Sequence, residues 1–168
     1  MKKMIHTIWV IRAGQRSTAH GLFMERGFIA LSKQTMGDLR LLPKKRQAFY
    51  EKYMSEHTDE GLSGIRGIGG KFFRFIHEVK EGDVILYPCL LDKKIYCGEV
   101  IGKYFYDEND KENEFPHRRK ICWKGTFLKS ALSELAKREL GAARTFFRFK
   151  KNTGEVTRCM TAIKKGRK

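Results

Sequence analysis

Three β-rich runs in close succession, VILYP (84–88), KIYCGEVIGKYFYD (94–107) and RRKICWKG (118–125), restrict the fold more than any other feature. They are joined by turn-prone or charged loops, the pattern of an antiparallel meander. Their apolar stretches run continuously instead of alternating with polar residues, so both faces are covered and the sheet is closed or strongly curved. Ahead of them, IHTIWVIR (5–12) reads as a buried strand stopping at Ala13-Gly14, and FIAL (28–31) as a second short strand.

Helices are expected between and after these strands. Ser17 to Gly27 has cap-like hydroxyls, Leu22 and Phe23 as an apolar stripe, and a glycine stop. Pro43 to His57 reads as an amphipathic helix with Phe49, Tyr53 and Met54 inward and Lys44, Lys45, Arg46 and Lys52 outward. The five glycines from Gly61 to Gly70 read as a mobile or tightly turned connection, and Lys71 to Lys80 as a helix with Phe72, Phe75, Ile76 and Val79 on one stripe. Ser130 to Leu140 is a further helix and ARTFFRFK (143–150) a late strand. The order is not that of a doubly wound fold; the class expected is α+β, a small mixed, strongly curved β-barrel with flanking helices. At 168 residues one domain suffices, over 1–150, with 151–168 as a basic extension that is frayed, partly ordered or leads into a further domain.

Charge is the functional signal. Lys and Arg number 35 against 19 Asp and Glu, a net +16, and the excess persists when the basic stretch from Lys150 to Lys168 is set aside. Such a surface attracts polyanions. No apolar run reaches the roughly 18 residues of a membrane span, and Arg12 interrupts the amino end too early for a secretory signal, so a cytoplasmic protein without membrane contact is expected. Cys89, Cys97, Cys122 and Cys159 lie far apart without zinc spacing and read as thiols; neither a metal nor a cofactor is expected.

Catalytic patterns are sparse. Glu78-Val79-Lys80 has the acid and lysine spacing of PD-(D/E)xK nucleases, but it ends a predicted helix with no strand before it. Pro88-Cys89 lacks the second cysteine of a zinc deaminase, and Gly67-Ile-Gly-Gly-Lys71 lacks phosphate-loop spacing. The scattered histidines, including His117, read as contact or hydrogen-bonding residues. What remains is aromatic and basic residues interleaved on strands: Trp9/Arg12, Phe72/Arg74, Tyr104/Tyr106, Arg118/Arg119/Trp123 and Phe147/Arg148. Base stacking of about 1 to 3 kcal/mol each, with salt-dependent phosphate contacts, is enough for binding without catalysis.

In order and spacing, Trp9-Val-Ile-Arg12-Ala13-Gly14, Gly27-Phe-Ile-Ala30, Met36-Gly-Asp-Leu39, Phe73-Arg-Phe75 with Glu78, Gly82-Asp-Val84, Leu86-Tyr-Pro88, the stretch from Gly98 to Tyr106, Pro116-His-Arg-Arg119 and Trp123 resemble the amino-terminal domain of Mrr-type restriction endonucleases. That domain resembles the PUA-like group of EVE, YTH and ASCH domains. The resemblance implies a curved barrel whose pocket holds a flipped, modified base, with cutting left to a nuclease domain or subunit as partner. It names Arg12, Ala13, Gly14, Ser32, Lys33, Lys71, Tyr87 and Trp123 as pocket residues, with Trp9 in the core. Arg74, Arg118, Arg119, Lys164 and Lys165 are the candidate phosphate contacts.

Two departures bear on the ligand. Leu31-Ser32-Lys33 stands where the family commonly has Ile-Gly-Trp or Ile-Gly-Phe, and Lys71 where a Gln often precedes Phe-Arg-Phe. Two lysines thus replace an aromatic wall and a neutral edge-reader, which turns the site toward phosphate. The expected function is a non-catalytic reader of DNA with a modified base, the sensor of a restriction or defence system. The alternatives are an RNA-binding PUA or YTH module, or a small enzyme: a nuclease using Glu78 or an ASCH-type hydrolase using Lys33 or Lys71.

Overall fold

A computed structural model describes residues 6–109 and 114–166. Ile5, where the expected first strand begins, and Arg167 and Lys168 of the basic tail lie outside the described residues. The architecture is α+β: one strongly curled, mixed seven-stranded sheet forming a half-barrel, with five α-helices around it.

The strands are β1 (Ile8–Ile11), β2 (Phe28–Leu31), β3 (Val84–Pro88), β4 (Lys94–Val100), β5 (Phe105–Tyr106), β6 (His117–Leu128) and β7 (Phe146–Phe149), in the order β2-β6-β4-β3-β1-β7, with β5 beside the start of β6. The β3-β4-β6 portion is the expected antiparallel meander, whereas β1 runs parallel to β3, with Trp9 opposite Ile85. The twelve-residue β6 pairs with β2 through 117–120 and with β4 through 121–128, and a register shift at Cys97/Gly98 accentuates its bend. Gly98 permits the curl, because a Cβ there would sit 2.6 Å from Ile121 Cγ2 and 2.8 Å from Trp123 Cε3.

The continuous apolar runs follow from burial on both faces. Trp9, Ile11, Ile85, Tyr87 and Phe146 join one core with α1 (His20–Met24), α2 (Arg46–Glu56) and α3 (Leu62–Phe73). The alternate residues Ile8, Val10, Leu86, Phe147 and Phe149 join a second with α4 (Glu134–Leu140) and α5 (Thr153–Lys165).

The basic extension is ordered through Lys165 as a helix packed on the second core, not frayed over that stretch. Val156 of α5 is fully buried, and Cys159, Met160 and Ile163 pack against the second core.

The glycine stretch also departs from expectation, forming the body of α3. Each helical glycine costs about 1 kcal/mol against alanine, but close helix packing requires it here. A Cβ on Gly69 would lie 2.8 Å from Tyr50 Cδ1 and 3.1 Å from the Phe49 carbonyl oxygen of α2. The helix continues as a wider π-type turn, Arg74–Glu78. In α2, Phe49 and Tyr53 point inward as expected, while Met54 is exposed. All four cysteines are free thiols.

Candidate nucleic-acid interface

The chain leaves β2 at Leu31 and turns at Ser32-Lys33, where Lys33 takes a left-handed backbone (φ 86°) unusual for a residue with a side chain. Its carbonyl oxygen holds this turn, accepting from the Met36 amide at 3.1 Å and from Nε2 of His117 at 2.9 Å. Because that carbonyl can only accept, Nε2 carries the His117 proton and Nδ1 accepts from the Tyr104 hydroxyl at 2.9 Å. The hydroxyl in turn accepts from the Leu39 amide. Burial, the largest influence, and the nearby Lys71 charge push the His117 pKa down to about 4, so the imidazole is neutral at pH 7.

Opposite this turn, α3 presents Lys71, and the π-type turn presents Arg74. Burial first, then the charges of Lys33 and Arg74, depress the Lys71 pKa to about 8. Arg74 is likewise lowered, by burial and then by Arg46, with Glu78 acting the other way. The guanidinium groups of Arg74 and Arg46 share the space over Gly70, their Nη1 atoms 3.2 and 3.6 Å from where a Cβ would stand. Arg46 reaches across from α2, lies 4.7 Å from the Phe73 ring centroid and pairs with Glu78. Arg144 adds a further positive charge acting on Arg74. Among the described residues no carboxylate forms an ion pair with Lys33, Lys71 or Arg74. The result is a group of partly buried cations between the Ser32-Lys33 turn and α3, here termed the cation cleft, whose mutual repulsion an anion would relieve.

The other nominated residues are arranged differently. Ala13 is buried, Gly14 abuts the Phe115 ring, and Ser32 is partly buried beside Lys33. Arg12 turns away from the cleft and donates to the carbonyl oxygens of Leu140, Ala142 and Arg144, capping the end of α4. Tyr87 is buried in an aromatic group with Phe23, Tyr96 and Trp123, its hydroxyl bonded to His20 Nδ1. The Trp123 indole donates to the Phe23 carbonyl oxygen at 2.7 Å. Phe23 and Tyr87 are buried and Tyr96 and Trp123 partly so, packed together as one aromatic group.

Two of the expected phosphate contacts need correction. Arg118 is 0% and Arg119 4% exposed. Arg118 pairs with Asp107 at 2.7 Å and donates to the Phe115 carbonyl oxygen. Arg119 spends its guanidinium on the carbonyl oxygens of Phe75, Ile76 and Gly102, closing the end of the π-type turn, and burial lowers its pKa to about 10. Both sit where β6 is covered on both sides, out of reach of a backbone phosphate. Lys164 and Lys165 are exposed in the last turn of α5, whose buried side packs on the face opposite α2 and α3, and so lie apart from the cleft.

Arg46, Tyr104, His117 and Arg144 belong to the site without having been nominated for it. The usable signal is the Gly69-Gly70 pair, which marks a close helix approach that brings α2 and its Arg46 onto α3. Among the described residues no three His, Cys, Asp or Glu side chains are grouped to hold a metal ion, and no helix is long and apolar enough to cross a membrane.

The fold and cleft define a class: an α+β half-barrel with inserted helices flanking a cluster of cations, of which Lys33, Lys71 and Arg74 have no paired carboxylate among the described residues. The family described as a domain of unknown function, DUF8426, matches residues 9–150, and the chain belongs to it. The curated proteins and the solved structures give no match to the chain.

Proposed function

We propose that this chain is a non-catalytic nucleic-acid-binding module of PUA/EVE-like build, and that its ligand is DNA carrying a modified, flipped base, sensed for a restriction or defence system. The observation that carries the reading is the group of partly buried cations around α3: Arg74 and Arg46 share the space over Gly70, and the charges of Lys33 and Arg74 act on Lys71, with no carboxylate paired to Lys33, Lys71 or Arg74 among the described residues. An anion placed among them gains their attraction and relieves their repulsion, and a net charge of +16 favours a polyanion over a small one. The curled mixed sheet with helices around it agrees with a PUA-like barrel. A partner nuclease, as domain or subunit, supplies the cutting in this reading.

The test is a salt titration of binding to matched duplexes, unmodified, methylated and hydroxymethylated, with the RNA equivalent alongside. The reading expects a preference of about tenfold for a modified duplex that survives rising salt. Equal affinities falling together would leave a basic surface without base discrimination.

A second reading has one observation in its favour. A lysine with a pKa near 8 is partly a neutral amine at neutral pH, which suits a hydrolase using Lys71 as base or nucleophile. Turnover of modified nucleosides, abolished in Lys71→Arg, would support this enzyme over the binding module.

A further inference from the structure

A cavity of about 510 Å³ opens between α4, the edge strand β7 and the loop entering α5, within the usual size range of small-ligand sites. Its chemistry is two-part. Leu135, Ala142 and Phe147 form an apolar wall, and Leu135 is 67% exposed although large and hydrophobic. Arg138, Arg144, Arg148, Lys150 and Lys151 surround that wall with exposed positive charge.

The one carboxylate in the lining, Glu139, is already committed. It accepts from the backbone amides of Lys150, Lys151 and Asn152 and from Asn152 Nδ2 at 2.8 Å. Burial works against its ionisation, yet these donors hold its pKa below the usual carboxylate value. It therefore fixes the loop, leaving five cations facing the cavity with no second lining carboxylate to oppose them.

Arg144 connects this cavity to the cleft. Its guanidinium carbon lies 5.6 Å from the Phe147 ring centroid in the cavity wall, while its charge acts on Arg74 at the end of the cleft. The cleft offers clustered cations; the cavity offers apolar surface with cations at its edge. Those are the separate needs of a sugar-phosphate backbone and of a base with its phosphate.

We infer that the cavity takes one unpaired nucleotide of the bound strand, its base against the exposed Leu135, Ala142 and the Arg144 guanidinium and its phosphate on the Lys150–Lys151 side. This rests on the nucleic-acid-binding reading above and locates the base away from the buried Tyr87 and the partly buried Trp123 beside it.

The experiment compares binding of the full chain to two duplexes that differ at one position, an extra unpaired thymidine in one and an abasic residue in the other. The wild-type chain is expected to prefer the unpaired thymidine by about tenfold, the scale of one stacked base. Leu135→Asp and Leu135→Ser, both at an exposed position, are each expected to abolish that preference while still binding both duplexes. Equal wild-type affinities, or a preference retained in both variants, would overturn the inference and leave the binding reading standing. Failure of the wild-type chain to bind either duplex would overturn both together.

Discussion

Nε2 of His117 donates to the carbonyl oxygen of Lys33 at 2.9 Å, joining the buried start of β6 to the rim of the cation cleft. Through this bond a neutral imidazole holds the left-handed turn that aims Lys33 toward the site. The bond requires a proton on Nε2 and a free lone pair on Nδ1 for Tyr104, and acid removes that lone pair.

Acid should therefore loosen the fold through His117. In the unfolded chain the imidazole takes its proton near its ordinary value of 6.5, whereas in the folded chain it resists until about 4. Between those values the unfolded state binds more protons, so stability falls as pH falls through the window. The loss attributable to His117 is on the order of 2 to 3 kcal/mol. Urea unfolding at pH 6.5 and 4.5 measures it: wild type should lose more stability than His117→Asn over that interval, and parallel losses would assign the effect to other groups.

Lys71 gives a pH dependence of the opposite kind, in binding. Its free pKa is about 8, and a bound phosphate raises it toward the ordinary value of 10.5, so binding takes up a proton once the free amine has titrated. Affinity for a DNA duplex should be steady below pH 7 and weaken as pH rises from 8 to 9.5. Fluorescence anisotropy across that range tests this, and Lys71→Arg, which stays charged, should flatten the curve.

Two arginines from neighbouring parts of the molecule should behave differently when replaced. Arg119→Met strands the carbonyl acceptors of Phe75 and Ile76 in the π-type turn and of Gly102 after β4, and is expected to cost about 3 kcal/mol of stability. Arg74→Gln should leave stability within about 1 kcal/mol and reduce the salt dependence of binding by about one phosphate contact. Denaturation midpoints and salt titrations on both variants separate the roles.

These differences mark where the sequence is legible. IWVI, FIAL and VILYP announce strands because β-branched and aromatic residues fill them, and their lack of alternation signals burial on both faces. The body of α3 is hidden because its glycines oppose helix locally, and at Gly69 only packing against Tyr50 and Phe49 explains the glycine. Arg118 and Arg119 look like surface charge because nothing local reveals that Asp107 and the carbonyls of a distant turn await them. Lys33, Lys71 and Arg74 can each be picked out by charge and position, but their mutual approach, and the arrival of Arg46, depend on how α2 packs on α3.

The carboxyl-terminal helix should prove necessary to the second core. Val156 is fully buried among Ile8, Leu86 and Leu140 of that core. Val156→Asp buries an unpaired charge and is expected to cost about 3 kcal/mol or more, read as a lowered urea midpoint. A stability unchanged from wild type would mean that α5 is dispensable.

The cation cleft itself is tested most directly by the slope of log affinity against log salt for one DNA duplex, compared across two charge-matched triple variants. One replaces Lys33, Lys71 and Arg74 by Gln; the other replaces the exposed Arg158, Lys164 and Lys165 of α5 by Gln. Each phosphate neutralised contributes about 0.9 to the slope, so the cleft variant should flatten it by about 2 to 3 while the α5 variant changes it by less than about 1. Equal flattening by both would show diffuse attraction to a basic surface and contradict a phosphate-binding cleft.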